Sequence, residues 1–241
     1  MGRVPERLIS AARPDRKPPV PGTPDSPARG VRRVELATTR PEPTAEFYAH
    51  LLGWVIIAEP DGAFTGWVGD RLALHVRPGD PAWRIVFAGA EPRDLGPGAA
   101  VHPGRVLHGP WAPPPRPGEP CWVELMADAG ADDHWAGALG WQVRDPGADF
   151  TLYDAAVAGD HRPVAGRLTA PGGWTCYFSV PDLADAVAEA TDMGGTVLIG
   201  PRDVPTGTVA AVADPDGSVF ALLENPAGWG GAWCAAHQAH A

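Results

Sequence analysis

The sequence has few basic residues, few cysteines and no long apolar run. It carries 19 lysines and arginines against 29 aspartates and glutamates, and this argues against nucleic-acid binding, which depends on neutralising phosphates. Three cysteines cannot complete a disulfide framework. No stretch approaches the roughly 20 apolar residues of a membrane-spanning helix, and the N-terminal residues lack the apolar core of a secretory signal. We therefore expect a cytoplasmic protein that binds neither nucleic acid nor membrane.

The chain does contain an internal repeat. Residues 33–54 begin ArgValGluLeu and end LeuGlyTrp, and residues 122–141 begin TrpValGluLeu and end LeuGlyTrp. Residues 83–110 begin with Trp and end ValLeuHisGlyPro, and residues 174–201 begin with Trp and end ValLeuIleGlyPro. A displacement of about 90 residues is too long for a solenoid unit and suits a small αβ domain. The sequence therefore predicts a duplicated domain.

Each copy has the pattern of a strand, a helix and three further strands. In the first module, Thr44 is a plausible helix N-cap and Gly53 a left-handed C-terminal residue, and AspGly and GlyAsp turns separate the later strands. The same order recurs over 120–168 and 174–224. The copy at 82–112 is eroded, because its helix region contains two prolines and two glycines. It also leaves no room for its last two strands.

These modules divide the chain into two domains with tails. The first 30 residues are rich in proline and scattered charges, so ordering them costs more entropy than burial returns. The expected organisation is a disordered tail over 1–30, an N-terminal domain over 31–112, a proline-rich linker over 113–118, a C-terminal domain over 119–225 and a flexible tail over 226–241.

The order of the motifs resembles the vicinal oxygen chelate superfamily. PheTyrAlaHisLeuLeuGlyTrp at 47–54 closes the first helix, and AspProAspGly at 214–217 lies in the last hairpin. That superfamily includes glyoxalase I, bleomycin-resistance proteins, fosfomycin-modifying enzymes and extradiol dioxygenases. The resemblance spans 31–225 and is closest over 119–225, where the chain is similar to two-domain bacterial proteins. It implies an α+β fold in which paired βαβββ modules form curled mixed sheets, giving two glyoxalase-like domains with the N-terminal one truncated.

The resemblance also implies where a metal would bind. Family members that hold a divalent metal use ligands from the first and fourth strands of each module. The positions that match in this sequence carry Arg33, Arg84, Trp122, Thr175 and Ala221. Tryptophan, arginine and alanine do not ligate metals, and threonine rarely does. We therefore predict no metal site and no cofactor in either domain.

Two glutamates and one histidine stand near those positions. Glu35 and Glu124 lie two residues beyond the first-strand positions and so share their strand face. His75, in the fourth strand of the first module, is the best lone candidate for a ligand. In the alternative interpretation, the carboxylates are strand residues paired with Arg33, Arg167 or similar partners.

The first functional hypothesis is metal-free binding of a hydrophobic or aromatic small molecule in the C-terminal domain, in bacterial specialised metabolism or resistance. Trp122 would supply an aromatic wall, and Glu124, opposite Thr175 and Tyr177, would act as an anchor or base with a pKa raised by apolar neighbours. The candidate ligand-binding residues are Trp122, Thr175, Tyr177 and Ala221, with Arg33, Glu35 and His75 in the N-terminal domain.

Two other hypotheses stay open. The protein is alternatively a lyase, isomerase or ring-modifying enzyme with Glu124 as general base, or, less readily, a metal enzyme with His75 and Glu35 or Glu124 as ligands. The truncated half is alternatively a packing or homodimerisation partner, because missing strands expose sheet edges that something must cover.

Overall fold

The architecture is two curled mixed sheets with helices between them. The computed structural model describes residues 26–96, 98–147, 149–204, 207–224 and 229, with only the backbone given for 145–147. None of the helices in these residues has the length and apolar character needed to cross a bilayer. The predicted α+β class with paired modules is confirmed.

The N-terminal sheet has the strand order β2-β3-β4-β1-β5-β7-β6. Its elements are β1 (Val31–Thr38), α1 (Pro41–Leu52), β2 (Val55–Ala58), β3 (Phe64–Val68), β4 (Arg71–Pro78), β5 (Ala82–Gly89), β6 (Arg93–Asp94) and β7 (Ala99–Pro103). The first strands of the two modules, β1 and β5, pair antiparallel, and β4 runs parallel to β1.

The C-terminal sheet has the order β13-β14-β15-β12-β8-β11-β10-β9. Its elements are β8 (Pro120–Met126), a short 3₁₀ turn (Ala129–Ala131), α2 (Asp132–Leu139), β9 (Gln142–Gly147), β10 (Phe150–Val157), β11 (Asp160–Leu168), β12 (Trp174–Val180), α3 (Leu183–Asp192), β13 (Thr196–Val204), β14 (Gly207–Ala213) and β15 (Val219–Glu224). Here β8 and β12 pair antiparallel, as β1 and β5 do in the other sheet.

The second module is shortened differently from the prediction. Strand β7 pairs parallel with β5, as β15 does with β12, so the module keeps its last strand. Only residues 90–92 separate β5 from β6, so no helix forms between these two strands, and Gly96, between β6 and β7, has a φ of 96°. The expectation that the last two strands are both missing was therefore wrong. The ValLeuHisGlyPro motif at 106–110 forms an isolated bridge from His108 to Val31.

An aromatic core joins the two halves through the helical layer. The ring of Tyr48 in α1 lies 5.8 Å from Trp54 and 5.1 Å from Phe220 of the C-terminal sheet. On the other side, the ring of Phe87 lies 5.0 Å from Trp141 and 5.3 Å from Trp174. Each aromatic side chain buries a large area, so these contacts hold the helix-bearing faces of the sheets together.

The helix boundaries follow ordinary capping rules with one correction. Thr44 is not the N-cap of α1, because the helix begins at Pro41, and a proline is well suited to the first helical turn. The hydroxyl of Thr44 instead donates to Asp216 at 3.0 Å. Gly53 has a φ of 68° and caps the C-terminus as predicted, and the side chain of Asp182 caps α3.

The segment between the sheets is tied to the N-terminal half. The guanidinium of Arg71 donates to the carbonyls of Pro113 and Pro114, each at 3.0 Å. The ring of His108 contacts the Leu72 carbonyl at 2.8 Å, and the indole of Trp54 donates to the Gly118 carbonyl at 2.7 Å. Residues 104–119, which we call the crossing segment, are thus packed against the fold.

The predicted tails lie mostly outside the described residues. Ala28 nevertheless belongs to the folded unit, since it is 1% exposed and its amide donates to the Leu139 carbonyl at 2.9 Å. The indole of Trp141 donates back to the Ala28 carbonyl at 2.7 Å. The predicted tail over 1–30 therefore extends too far at its C-terminal end.

Candidate functional site

The predicted residues of the C-terminal domain lie on one face of three adjacent strands. Tyr177 of β12 stands opposite Trp122 of β8 and Ala221 of β15, and Thr175 stands opposite Glu124. Residues directly opposite in a sheet share a face. The intervening residues belong to the core between the sheets. We call the face away from the helices the C-terminal cup.

One part of this cup is apolar. A bulge in β8 shifts the register near Cys121, which packs with Val209, Ala221 and Leu223. The thiol of Cys121 is fully buried, and burial raises its pKa. A thiol in such surroundings is a small apolar group rather than a nucleophile.

The polar centre of the cup is Glu124. Glu124 is 6% exposed, and its carboxylate accepts a hydrogen bond from the Tyr177 hydroxyl. Burial raises the pKa of Glu124, while the Tyr177 hydroxyl, the neighbouring Trp122 side chain and the charge of Arg202 oppose the shift. Burial and the neighbouring Glu124 raise the pKa of Tyr177, so its phenol stays protonated and donates.

A glycine opposite Glu124 provides the space for this arrangement. Gly166 of β11 stands beside Glu124 in the sheet. A Cβ at this position would come within 3.0 Å of both the Glu124 carboxylate and the Phe150 ring. Glycine therefore allows the carboxylate and an aromatic ring to pack directly over the strand.

The alternative pairing of Glu124 with Arg167 was wrong. Arg167 stands opposite Leu125, so its side chain points to the other face of the sheet. There it is 2% exposed and binds Asp132 with a distance of 2.7 Å from Nε to Oδ1, and it donates to Thr151 at 2.7 Å. Period-two alternation excludes a contact between Arg167 and Glu124.

Sequence reasoning missed Trp229, which it placed in the flexible tail. Trp229 is 2% exposed, its ring lies 5.8 Å from that of Trp122, and its indole N–H donates to the Val164 carbonyl at 3.2 Å. The available signal was a bulky aromatic residue shortly after the last strand. Trp233, Cys234 and the histidines beyond them lie outside the described residues.

The candidates of the N-terminal domain form a separate group. Glu35 stands opposite His75 on one side and Arg84 on the other. Arg33 binds the Glu35 carboxylate with a distance of 2.6 Å from Nε to Oε1, and Arg77 lies 3.7 Å away. The structure thus gives Glu35 the predicted arginine pairing.

A cavity of about 530 Å³ lies over this N-terminal group. It is lined by Arg33, Thr65, Leu72 and His75, with residues 59–61 at its rim. The helical layer separates this cavity from the C-terminal cup, so the candidate residues do not form one site.

The donor set does not fit the metal site that the fold family implies. Trp122, Thr175 and Ala221 hold the matching positions in the C-terminal cup, and Glu124 there accepts a hydrogen bond from the Tyr177 phenol. The Glu35 carboxylate forms ion pairs with Arg33 and Arg77. In the ranges that the structure describes, no three His, Cys, Asp or Glu side chains converge on one point. These residues therefore do not supply the ligand set of the family's metal site.

Comparisons with known proteins identify a matching family and several relatives of the chain. The family model described as Glyoxalase/Bleomycin resistance protein/Dioxygenase superfamily matches residues 30–222. The chain is 35% identical over 128 residues to the anthracycline biosynthesis protein DnrV of Streptomyces peucetius, covering 48% of this chain and 46% of that protein. It is 36% identical over 72 residues to the putative glyoxylase CFP32 of Mycobacterium bovis, covering 30% and 27%. The matched parts are less than half the length of these relatives.

Solved structures share the fold at low sequence identity. The Mn(II)-bound glyoxalase from Novosphingobium aromaticivorans superposes with a TM-score of 0.58 at 15% identity, covering 83% of each chain. The 2,3-dioxygenase LapB from Pseudomonas sp. KL28 gives 0.55 at 16% identity, covering 83% of this chain and 94% of that one. With the family match across most of the sequence, the predicted resemblance is confirmed: the chain belongs to the Glyoxalase/Bleomycin resistance protein/Dioxygenase superfamily.

Proposed function

We propose that this protein binds a flat aromatic small molecule in its C-terminal cup, without a metal, as part of bacterial specialised metabolism. The observation that carries the proposal is the buried Glu124 carboxylate, which accepts a hydrogen bond from Tyr177 and shares its strand face with Trp122. Ligand sites of this kind combine apolar walls with a few placed polar groups.

The relatives support an aromatic ligand class. DnrV, and DauV of Streptomyces sp. strain C5 with 32% identity over 116 residues, are both described as anthracycline biosynthesis proteins. Anthracyclines contain fused, planar rings with phenol and ketone oxygens. Such a ring system stacks on the indole of Trp122, and its oxygens exchange hydrogen bonds with Tyr177 and Glu124.

Replacing Trp122 by alanine is expected to weaken binding of a fluorescent anthracycline by about tenfold or more, because the aromatic wall and its stacking are lost. Fluorescence anisotropy titrations in the presence of EDTA measure the affinity, and thermal melting checks that the variant folds. Trp111→Ala is the matched control, since Trp111 packs against Arg162 at 5.5 Å and lines a separate cavity with Arg29 and Val106. An affinity unchanged in Trp122→Ala would remove Trp122 from the site.

The same centre also favours proton transfer as a second candidate function. A buried carboxyl group with a raised pKa beside a protonated phenol is suited to act as a general base. If Glu124 removes a proton from a bound anthracycline, incubation in D₂O introduces deuterium that mass spectrometry detects. Glu124→Gln should slow this uptake about a hundredfold or more. A wild-type protein that introduces no deuterium would leave binding as the function for this ligand.

A further inference from the structure

We propose that the indole of Trp229 occupies the subsite that the ring of the ligand takes in the C-terminal cup. The ligand class is then a planar aromatic ring that carries an N–H or O–H donor on its edge and competes with Trp229. This inference rests on the proposed function and specifies the ring-binding part of that same site.

The position of Trp229 is that of a bound ring. Its side chain is 2% exposed, its ring centre lies 5.8 Å from that of Trp122, and the planes are tilted by 51°. This separation is within the range of attractive aromatic pairs. Trp122 lies two residues before Glu124 in β8 and on the same strand face, so the ring subsite adjoins the polar anchor.

The hydrogen bond of Trp229 is directed at a backbone carbonyl at a bulge in the sheet. In the pairing of β10 with β11, Tyr153 stands opposite Ala165 and Asp154 opposite Pro163, so Val164 is the extra residue of a bulge. The parallel pairing of β11 with β8 begins only at Gly166. The Val164 carbonyl accepts a hydrogen bond from the Trp229 indole at 3.2 Å.

These two contacts define what is able to replace the indole. Val164 is fully buried, and a buried carbonyl left without a donor destabilises the complex. A competing ring must therefore cover Trp122 and also donate a hydrogen bond to the Val164 oxygen. A hydrophobic ring without a donor fulfils only the first condition.

Competition between Trp229 and the ligand predicts the direction in which the affinity changes when Trp229 is removed. While Trp229 is in the subsite, the cup is closed to the ligand ring, and the measured affinity is reduced by the fraction of molecules in which the subsite is open. Removing the indole raises the affinity for the ligand. If Trp229 instead formed a wall beside the ligand, removing it would lower the affinity.

Free indole tests the subsite without knowledge of the natural ligand. In Trp229→Ala, calorimetry is expected to detect saturable binding of one indole per chain, because an apolar slot of matching shape binds the missing group. Indole should bind the wild type at least about tenfold more weakly than it binds the variant. The compound 1-methylindole, which lacks the donor, should bind the variant about tenfold more weakly than indole does. A folded variant that binds no indole, or that binds both compounds equally, overturns the proposal.

Anthracycline titrations provide the second measurement. Trp229→Ala should bind the anthracycline several-fold more tightly than the wild type, and a weaker affinity would show that Trp229 is a wall and overturn the proposal. If Trp229→Ala does not fold, Trp229→Phe takes its place. It keeps a ring but lacks the donor, so tighter anthracycline binding is again expected, and unchanged or weaker binding overturns the proposal. If no variant binds the anthracycline while Trp229→Ala binds indole, the proposed ligand is refuted, whereas the ring subsite at Trp229 is not.

Discussion

Replacing Glu119 by glutamine is expected to lower the free energy of unfolding by about 3 to 5 kcal/mol, the usual cost of breaking a buried ion pair. Glu119 is completely buried, its Oε2 forms an ion pair with Arg71 at 2.5 Å, and its Oε1 accepts a hydrogen bond from the Arg116 side chain at 2.8 Å. The Oε2 atom also accepts a hydrogen bond from the Arg116 backbone amide at 2.8 Å. The glutamine would leave the buried guanidinium of Arg71 without a counter-charge.

Urea unfolding of wild type and Glu119→Gln measures this loss. Asp70→Asn is the matched control, because Asp70 binds the same Arg116 at 3.1 Å with a side chain that is 77% exposed. Exposed ion pairs contribute little to stability, so the control should unfold close to the wild type. Equal unfolding midpoints for the two variants would contradict a structural role for the buried pair.

Acid is expected to destabilise the protein through His108 by about 3 kcal/mol between pH 6.5 and pH 4. His108 is 2% exposed, and burial lowers its pKa from 6.5 to about 4, with the charges of Arg71 and Arg116 acting in the same direction. The hydrogen bond to the Leu72 carbonyl opposes the shift. Below pH 6.5 the unfolded chain binds a proton at this residue that the folded chain does not, so stability is complete above pH 6.5 and is lost as the pH falls.

His108→Gln isolates this effect, since an amide keeps a donor for the Leu72 carbonyl and does not titrate. Burial raises the pKa of Glu124 and of Asp214, so those groups change stability with the opposite sign and contribute to both proteins alike. The free energy of unfolding of the wild type minus that of the variant, measured by urea unfolding, should therefore fall by about 3 kcal/mol from pH 7 to pH 4. A constant difference across this range would show that His108 is protonated without cost.

Both predictions concern the crossing segment, residues 104–119. Composition identified part of it as an extended proline-rich linker, and its proline and glycine content does exclude regular structure. The contacts that hold it, from Arg71 and Trp54 to backbone carbonyls, follow from the three-dimensional path and leave no periodic signal. A segment that composition marks as a spacer is therefore part of the packed structure.

Strand motifs were more informative because alternation fixes which residues share a face. The repeat of ValGluLeu placed Glu35 and Glu124 at equivalent positions, and the register pairs them with His75 and Gly166 respectively. Once the register is known, alternation also puts Arg167 and Glu124 on opposite faces of the sheet. Their separation in sequence does not indicate this. The αL conformation of Gly53 followed from the end of the helical pattern.

The fate of Trp229 was not predictable from pattern. A single aromatic residue beyond the last strand has neither helical nor strand periodicity, and terminal residues are usually mobile. Its burial depends on an aromatic partner, Trp122, and on a hydrogen bond to the carbonyl of the bulge residue Val164. Neither feature is visible without the register of the sheet.

Metal-free binding in the C-terminal cup is tested most directly by one titration, made on protein purified without a histidine tag and analysed for its metal content. With less than stoichiometric metal present, the anthracycline should bind one site per chain, and EDTA should leave the affinity unchanged. Stoichiometric manganese, iron, nickel or zinc in the purified protein, with binding lost when the metal is removed, would contradict metal-free binding.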